Sequence, residues 1–343
     1  MLTSIIVASF IAFVATFVLT AFMQRYLFDS GLIATDINKK GKPKLPTSGG
    51  VGVIFGFLIG VMSYVFAATY ILPAHLNLIE IFGATTSIIL GGLIGFLDDI
   101  HIKAKKEVTT GIKDTKVGLK QFQKLLLTFI IPIPFMVAQI RNFSIWLPFV
   151  GVVNIGILYP LIVLPLAIIF MTNAVNMLAG LNGLEAGLGC VASLGIGIFS
   201  LFYGRAEGTL IAFTLFASLI AFLFFNKYPA KILPGDSLTY MEGVALASAV
   251  ILGNIEKFGF VVFIPWLIEF ILKARSKMKA SSLGKIRNDG TLAAPYGNKI
   301  YSLTHVVMNI KRVKEWEATL YLILLEVFFV LLGFALEILG FFY

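Results

Sequence analysis

Ten stretches of the chain are apolar for nearly their whole length, and the polar residues gather between them instead of alternating with apolar ones. The runs cover about 2–24, 49–71, 80–97, 122–140, 150–172, 184–203, 208–226, 240–254, 258–274 and 318–341. A helical bilayer crossing takes roughly 20 apolar residues. The pattern therefore predicts an all-α, polytopic integral membrane protein of about ten transmembrane helices, built as one domain over 1–343. The eighth run is short and rich in Ala and Gly, and small residues let neighbouring helices approach closely. The first run, within MLTSIIVASF, has no basic region ahead of it and no small-residue cleavage site, so it reads as a retained span. The chain shows no convincing internal repeat.

Composition agrees with this class. Of the 343 residues 58% are hydrophobic and 13% charged, whereas soluble domains carry about 25% charged residues. The single cysteine, Cys190, excludes an internal disulfide and a cysteine-based metal site, and reads as a packing residue.

The basic residues orient the chain. Lys and Arg concentrate on the cytoplasmic side of a membrane, and 24 of the 27 fall on one side of the predicted spans. Only Arg141, Arg205 and Lys257 fall on the other. Both termini are then outside. The cytoplasmic loops run over about 25–48, 98–121, 173–183, 227–239 and 275–317. The basic residues serve this orientation, and no nucleic-acid partner is expected. Asp36, Asp98, Asp99, Glu107, Asp114, Asp236 and Asp289 fall on the same side. A transporter more often buries its polar groups near the midplane. Polar chemistry at one face suits an enzyme joining a cytosolic substrate to a lipid one. The rival transporter reading rests on Glu269 and Glu326, with Glu337 nearer the far end. Lys273, four residues on, offers Glu269 a structural partner. A non-catalytic scaffold would leave the aspartates unexplained.

Five stretches carry candidate chemistry. In GGLIGFLDDIHIK (91–103), Asp98 and Asp99 end an apolar run. Adjacent helical side chains point about 100° apart, so the two carboxylates take separate roles. One would orient a metal or a lysine, and the other would take a proton. The alternative is a mere boundary marker, yet acids gain nothing from the dipole at a helix C-terminus. In KVGLKQFQKLLL (116–127), Lys116, Lys120 and Lys124 recur every four residues and form a stripe if helical. Lys124, where a span starts, is placed to hold phosphate oxygens; Lys116 reads as orientation only.

NAVNMLAGLNGLE (173–185) puts Asn173 and Asn176 on one helical face, before Gly180 and Gly183 break the helix. Asn182 falls in the break and Glu185 starts the next span, touching substrate or only opening a helix. Amide oxygens suit a hard cation, and amides read the edge of a base; capping explains Asn182 alone but not the cluster. In KILPGDSLTYMEG (231–243), Asp236 follows Pro-Gly, as a Mg²⁺ ligand or as a helix cap. DINKKGKPKLPTSGGVGV (36–53) joins a lysine cluster, including Lys39, to Gly49, Gly50 and Gly52 at a span entry. Amides at a glycine-rich helix start can meet an anion; lysines beside a membrane also attract anionic headgroups.

Together and in this order the motifs resemble the polyprenyl-phosphate N-acetylhexosamine-1-phosphate transferases (glycosyltransferase family 4), over about Asp36 to Asp236. NAVNMLAGLNGLEAG is most similar to the dolichyl-phosphate UDP-GlcNAc branch. The bacterial peptidoglycan branch has acids at the positions of Ala179 and Asn182 and a histidine cluster in its last cytoplasmic loop, whereas His75, His101 and His305 are far apart here. The resemblance implies ten spans, a cytoplasmic active site, Mg²⁺ (or Mn²⁺), and transfer of GlcNAc-1-phosphate from UDP-GlcNAc to a polyprenyl phosphate with release of UMP, the alternative being the same reaction with another UDP-HexNAc donor. That is the first membrane step of a glycan pathway such as N-glycosylation. By motif, Asp98 and Asp99 form its paired-aspartate site and Lys124 contacts phosphate. Asn176 and Asp236 are its metal ligands and Asn182 reads uridine. Asn173, Glu185, Lys39, Thr47 and Arg287 complete the substrate-binding set. The resemblance further implies a homodimer; with the compact loops it suggests an archaeal cell membrane, or the endoplasmic reticulum in a eukaryote. Two departures stand out. Leu45 to Ser48 reads LPTS, with Thr47 where the branch has glutamate. KARSKMKASSLGKIRNDG (273–290) replaces an Arg-His-Arg cluster, leaving Lys277, Lys279 and Arg287 as candidates to meet the pyrophosphate.

Overall fold

The computed structural model describes residues 2–71, 77–100, 102–105, 113–116, 121–138, 143–147 and 151–341. Helices α1 (Leu2–Asp29) and α2 (Gly50–Tyr70) are joined through a hairpin of β1 (Ile33–Thr35) and β2 (Lys44–Pro46), with Ile33 opposite Pro46. After α3 (Leu78–Asp99) come the hairpin β3 (Ile102–Lys105) and β4 (Lys113–Lys116), then α4 (Gln121–Thr128) and α5 (Ile133–Met136). The pair β5 (Ser144–Leu147) and β6 (Gly151–Asn154) precedes a π-helical turn, Tyr159–Val163, that runs into α6 (Leu164–Met177). There follow α7 (Leu184–Phe202), α8 (Ala206–Asn226), α9 (Gly235–Gly253), α10 (Glu256–Val262) and α11 (Ile264–Ala274). The hairpin β7 (Lys285–Ile286) and β8 (Leu292–Ala293), α12 (Leu303–Ile310) and α13 (Glu315–Ile338) complete the chain. Among the described residues the expectation of a mainly helical chain thus holds, with four antiparallel two-stranded sheets added in the connections.

Among the described residues, seven helical segments are long and apolar enough to cross a membrane: α1, α2, α3, the π-turn with α6, α7, α8 and α13. The chain is a multi-pass membrane protein. The other three predicted spans differ from expectation for physical reasons. The fourth divides into α4 and α5 around Pro132 and Pro134. The ninth divides into α10 and α11, with Pro265 in the first turn of α11; proline lacks the N–H that would continue the preceding helix. The eighth is α9, which begins at Gly235 instead of 240 and is buried at every position from Ser237 to Ile251. Other helices sheathe it, so it carries Asp236 and Glu242 without facing lipid.

Small residues set the packing. Gly52, Gly56 and Gly60 on α2 lie against Thr20, Thr16 and Ala12 on α1, a small-residue ridge repeating every four positions on both helices. On α3, a Cβ added to Gly95 would lie 2.1 Å from the Asp236 carbonyl oxygen. Gly95→Ala is therefore expected to destabilise the fold by about 1–3 kcal/mol, read as a lower thermal midpoint in detergent. An unchanged midpoint would rule out this contact. The close approach brings the end of α3 onto the start of α9, where the polar residues meet.

Candidate active site

The C-terminal ends of α3, α6, α8 and α11 meet the first turns of α4, α7 and α9 at one place, and the start of α13 reaches it through Glu315. A cleft of about 550 Å³ opens there. Asp36, Asp99, Lys124, Asn176, Asp236 and Lys273 are polar members of its wall.

The paired aspartates point to different partners. Buried Asp98 forms an ion pair with Lys124. Asp99 accepts the backbone N–H of Asp236 (Oδ1, 3.0 Å) and of Ser237 (Oδ2, 3.1 Å). It thus caps α9 from across the cleft, placing a carboxylate where the helix dipole favours it. The Asp236 carboxylate, fixed in that first turn, lies 3.8 Å from the Lys124 ammonium. Asn176, at the end of α6, accepts a hydrogen bond from Thr239 on α9 (3.1 Å), one turn past Asp236. Asp236 and Asn176 thereby face one cleft from two helices.

The glycine break follows expectation, with Gly180 and Gly183 at φ 109° and 76°. Asn182 in that turn is buried, and its side chain meets protein groups at both ends. Its Oδ1 accepts from Ala230 N–H (2.9 Å) and from Lys39, and its Nδ2 donates to Asp36 (3.2 Å). Its backbone N–H donates to Glu315 (2.8 Å), which also pairs with Lys39 at 3.1 Å. Asn182 is the hub that ties the β1–β2 turn, the α6–α7 turn and α13 together, and it still lines the cleft. Glu185 lines it too, accepting the Gly180 N–H at 2.8 Å, and Thr47 forms part of the wall.

Four predicted residues stand outside the wall. Asp98 lies behind Lys124, and Lys39 is held by Asp36, Asn182 and Glu315. Asn173 turns back along α6 to donate to Ile169 O (2.8 Å). Arg287 braces its own hairpin, donating to Thr291 Oγ1 and Leu292 O at 3.3 and 2.8 Å. The lysine stripe is interrupted: Lys116 ends β4 while the helix starts at Gln121, and Lys120 lies outside the described residues, as do Glu107, Arg141, His75 and His101. The glycine amides expected to meet an anion are spent within the protein. Gly49 and Gly50 donate to Leu233 O and Pro234 O at 2.9 and 3.0 Å, because Gly50 packs on the α9 backbone at Leu238.

Sequence reasoning missed several members. Asn38 donates to Gly180 O (2.8 Å) and accepts from Gly284 N–H (3.3 Å). Glu315 anchors the Asn182 hub from about 130 residues away, and no local pattern signals that contact. Glu242 on α9 is fully buried, like Glu326 on α13, and neither carboxyl has a hydrogen-bond partner among the described residues. Glu269 pairs with Lys273 at 3.7 Å, as its spacing suggests. His305 is held neutral, its pKa lowered to about 4 by burial and then by the Lys273 charge.

The donor set fits a hard divalent cation. The described residues contain no cluster of three or more His, Cys, Asp and Glu able to hold a metal alone. One carboxylate (Asp236) and one amide oxygen (Asn176) suit Mg²⁺, which typically takes one or two protein oxygens and completes its shell with phosphates and water.

A buried ionic cleft at one end of an apolar helical bundle defines a multi-pass membrane protein built to receive a charged ligand beside the bilayer. The profile of glycosyl transferase family 4 matches residues 81–254, which span α3 to α9 and hold most of the cleft. The chain is 32% identical over 339 residues to a protein of Saccharolobus solfataricus provisionally named UDP-N-acetylglucosamine–dolichyl-phosphate N-acetylglucosaminephosphotransferase, covering 97% of each chain. The protein of that name from Dictyostelium discoideum is 29% identical over 280 residues, 71% of this chain and 64% of its own. A phospho-N-acetylmuramoyl-pentapeptide-transferase of Chlamydia muridarum is 34% identical over 228 residues, 63% and 64% of the two chains. The chain belongs to glycosyl transferase family 4.

Proposed function

We propose that the protein transfers N-acetylglucosamine 1-phosphate from UDP-GlcNAc to a polyprenyl phosphate of dolichyl type, giving the lipid pyrophosphate sugar and UMP. The observation that carries this reading is the meeting of Lys124, Asp236 and Asn176 at one cleft in the end of a membrane bundle. The names of the relatives support the substrates. The polar face is then cytoplasmic, and the chain crosses the membrane ten times, with α4–α5, α9 and α10–α11 as the three broken or sheltered crossings.

Asp236 and Asn176 would hold Mg²⁺, which neutralises charge on the pyrophosphate when bound. Lys124 stabilises charge on the transferred phosphoryl group, the main task in phosphoryl transfer. An oxygen of the lipid phosphate bonds to the β-phosphorus, and the bond from that phosphorus to the UMP oxygen breaks, UMP leaving with the electron pair. A phosphate monoester has its second pKa near 6, so the acceptor attacks as the dianion and needs no proton removed. The two aspartates act as positioning residues: Asp98 sets Lys124 and Asp99 sets Asp236. A covalent aspartyl route would require one of them to surrender those contacts. Measurable UMP–UDP-sugar exchange without lipid acceptor would overturn the direct route.

An almost wholly apolar groove of about 380 Å³ lies along the same α6, bounded by α9, α10 and α11 and including Ala167, Phe170, Ala247 and Phe260. It is placed to take the polyprenyl tail. Ala167→Trp is expected to raise KM for a long polyprenyl phosphate on the order of tenfold and to leave a two-isoprene acceptor unaffected. Equal effects on both acceptors would place the tail elsewhere. The reaction itself is tested with purified protein, radiolabelled UDP-GlcNAc, polyprenyl phosphate and Mg²⁺. Labelled lipid and UMP are expected in equal amounts, and no labelled lipid with any UDP-sugar would sink the transferase reading.

A further inference from the structure

Glu185, Glu242 and Glu326 run from the cleft into the bundle, and the transfer chemistry uses none of them. We propose that Glu185, at the cleft end of this row, takes up a proton when the anionic donor enters, so that donor binding and proton uptake are linked. This inference rests on the transfer reading, which supplies the anion, and gives Glu185 a task beyond opening α7.

The row is built on α7. Glu185 lines the cleft, is buried, and stands one turn before Gly189. A Cβ at Gly189 would lie 2.5 Å from Oε1 of Glu242, so the absent side chain lets that carboxyl rest on α7. From α13, Ile323 and Val330 pack on Gly187 and Gly195 of α7. Glu326 falls between them on the same face of α13. Glu242 is near enough to Glu185 and Glu326 for their charges to act on it, and Glu315 acts on Glu185 in the same way.

The helices around the row supply no counter-charge: α6, α7, α8, α9 and α13 contain no Lys, Arg or His. Basic groups near the cleft are engaged elsewhere. Lys39 holds Asp36, Asn182 and Glu315, Lys124 holds Asp98, and Lys273 holds Ala280 O and Glu269. Lys227, whose backbone passes Gly183, lies over the Phe224 ring. The other titratable groups facing Glu185 and Glu242 are acids or a thiol: Asp36, Asp99 and Asp236 in the cleft wall, Glu315 on α13 and Cys190 on α7.

The three acids differ in what can hold a negative charge. Glu242 and Glu326 are wholly buried, and none of their oxygens has a hydrogen-bond partner among the described residues. A buried carboxyl with neither donor nor counter-charge carries its proton. Glu185 is different, because its anion has two supports. It accepts the Gly180 N–H through Oε1 (2.8 Å), and it stands in the first turn of α7, where the helix dipole favours negative charge. Its Oε2 is buried and has no hydrogen-bond partner among the described residues. Glu185 is therefore the member of the row that can exchange a proton. A pyrophosphate entering the same cleft adds like charge beside it, and like charge disfavours the ionised carboxyl. A proton from the cleft water then bonds to Oε2. No other bond forms or breaks, and Oε1 keeps the Gly180 N–H.

The test is calorimetry of UDP-GlcNAc binding to the full-length protein in detergent, at fixed Mg²⁺, in buffers of different ionisation heat. UDP-GlcNAc has no group of its own that titrates near neutral pH. Uptake of up to about one proton per ligand is expected, with affinity falling by up to about tenfold per pH unit as pH rises. Uridine, which is uncharged, is expected to bind without uptake. Glu185→Gln imitates the protonated acid and keeps an acceptor for Gly180, so it is expected to bind UDP-GlcNAc with no uptake. Glu242→Gln is expected to leave the uptake as it was, because that acid holds its proton throughout. If Glu185→Gln does not fold, difference infrared spectra of the unaltered protein decide: a protonated-carboxyl band is expected to appear when UDP-GlcNAc binds. No uptake and no new band would overturn the proposal. So would uptake that survives in Glu185→Gln or disappears in Glu242→Gln. Failure of the unaltered protein to bind UDP-GlcNAc at all would instead overturn the transfer reading.

Discussion

Asp236→Asn is expected to lower kcat by about 10³-fold while the protein stays folded. The side chain is isosteric, and the bonds that fix this turn run through backbone N–H groups to Asp99, so the substitution leaves them in place. What changes is one negative charge, which faces the cleft 3.8 Å from the Lys124 ammonium. An amide is a weaker Mg²⁺ ligand than a carboxylate, so the residual rate is expected to rise with Mg²⁺ concentrations that saturate the unaltered enzyme. The measurement is initial rate against Mg²⁺ for both proteins, with thermal midpoints alongside. Full activity of the variant at low Mg²⁺ would remove Asp236 from the metal site. A midpoint that fell in step with activity would make the residue structural.

The same residue shows what the sequence could and could not convey. Its position after Pro-Gly before an apolar run was enough to mark it, because turn residues and apolar periodicity are local signals. The reason it is rigid is not local: the capping carboxylate is Asp99, 137 positions away. The seven long apolar helices were legible because lipid-facing surface must be apolar throughout. α9 was the hardest to delimit, since a helix buried among other helices can carry Asp236 and Glu242, and its polar first turn hid the start at Gly235 behind an apolar run that begins at 240. The ridge of Gly52, Gly56 and Gly60 against α1 is written in the sequence as a four-residue repeat of small residues and was open to reading. Candidate residues divide in the same way. Lys124, Asn176 and Asp236 stand where their motifs place them, at the cleft. Asn173 and Arg287 carry suitable groups, yet each is drawn to a nearby carbonyl that spacing alone does not reveal.

Lys124→Met tests the other half of the site, and its two expected consequences separate by a second substitution. The ammonium is paired with Asp98, whose carboxyl is almost wholly buried, and it also reaches Asp236. Removing it takes the lysine counter-charge from a buried carboxylate, and breaking a buried pair in this way costs several kcal/mol in a closed interior. Here the lysine is 27% exposed on its side chain, so water reaches the pair and a loss of about 1–3 kcal/mol is expected. Turnover is expected to fall by about 10²–10³-fold, because charge on the transferred phosphoryl group loses its fixed counter-charge. Adding Asp98→Asn to Lys124→Met removes the carboxylate charge and is expected to recover most of the thermal midpoint without recovering turnover. Asp98→Asn alone leaves the ammonium present but released toward Asp236, so it is expected to retain more activity than Lys124→Met. If the double variant recovered both stability and turnover, Lys124 would be only a partner for Asp98. If Asp98→Asn were the more damaging single change, Asp98 would touch the reacting phosphate itself instead of positioning the lysine that does.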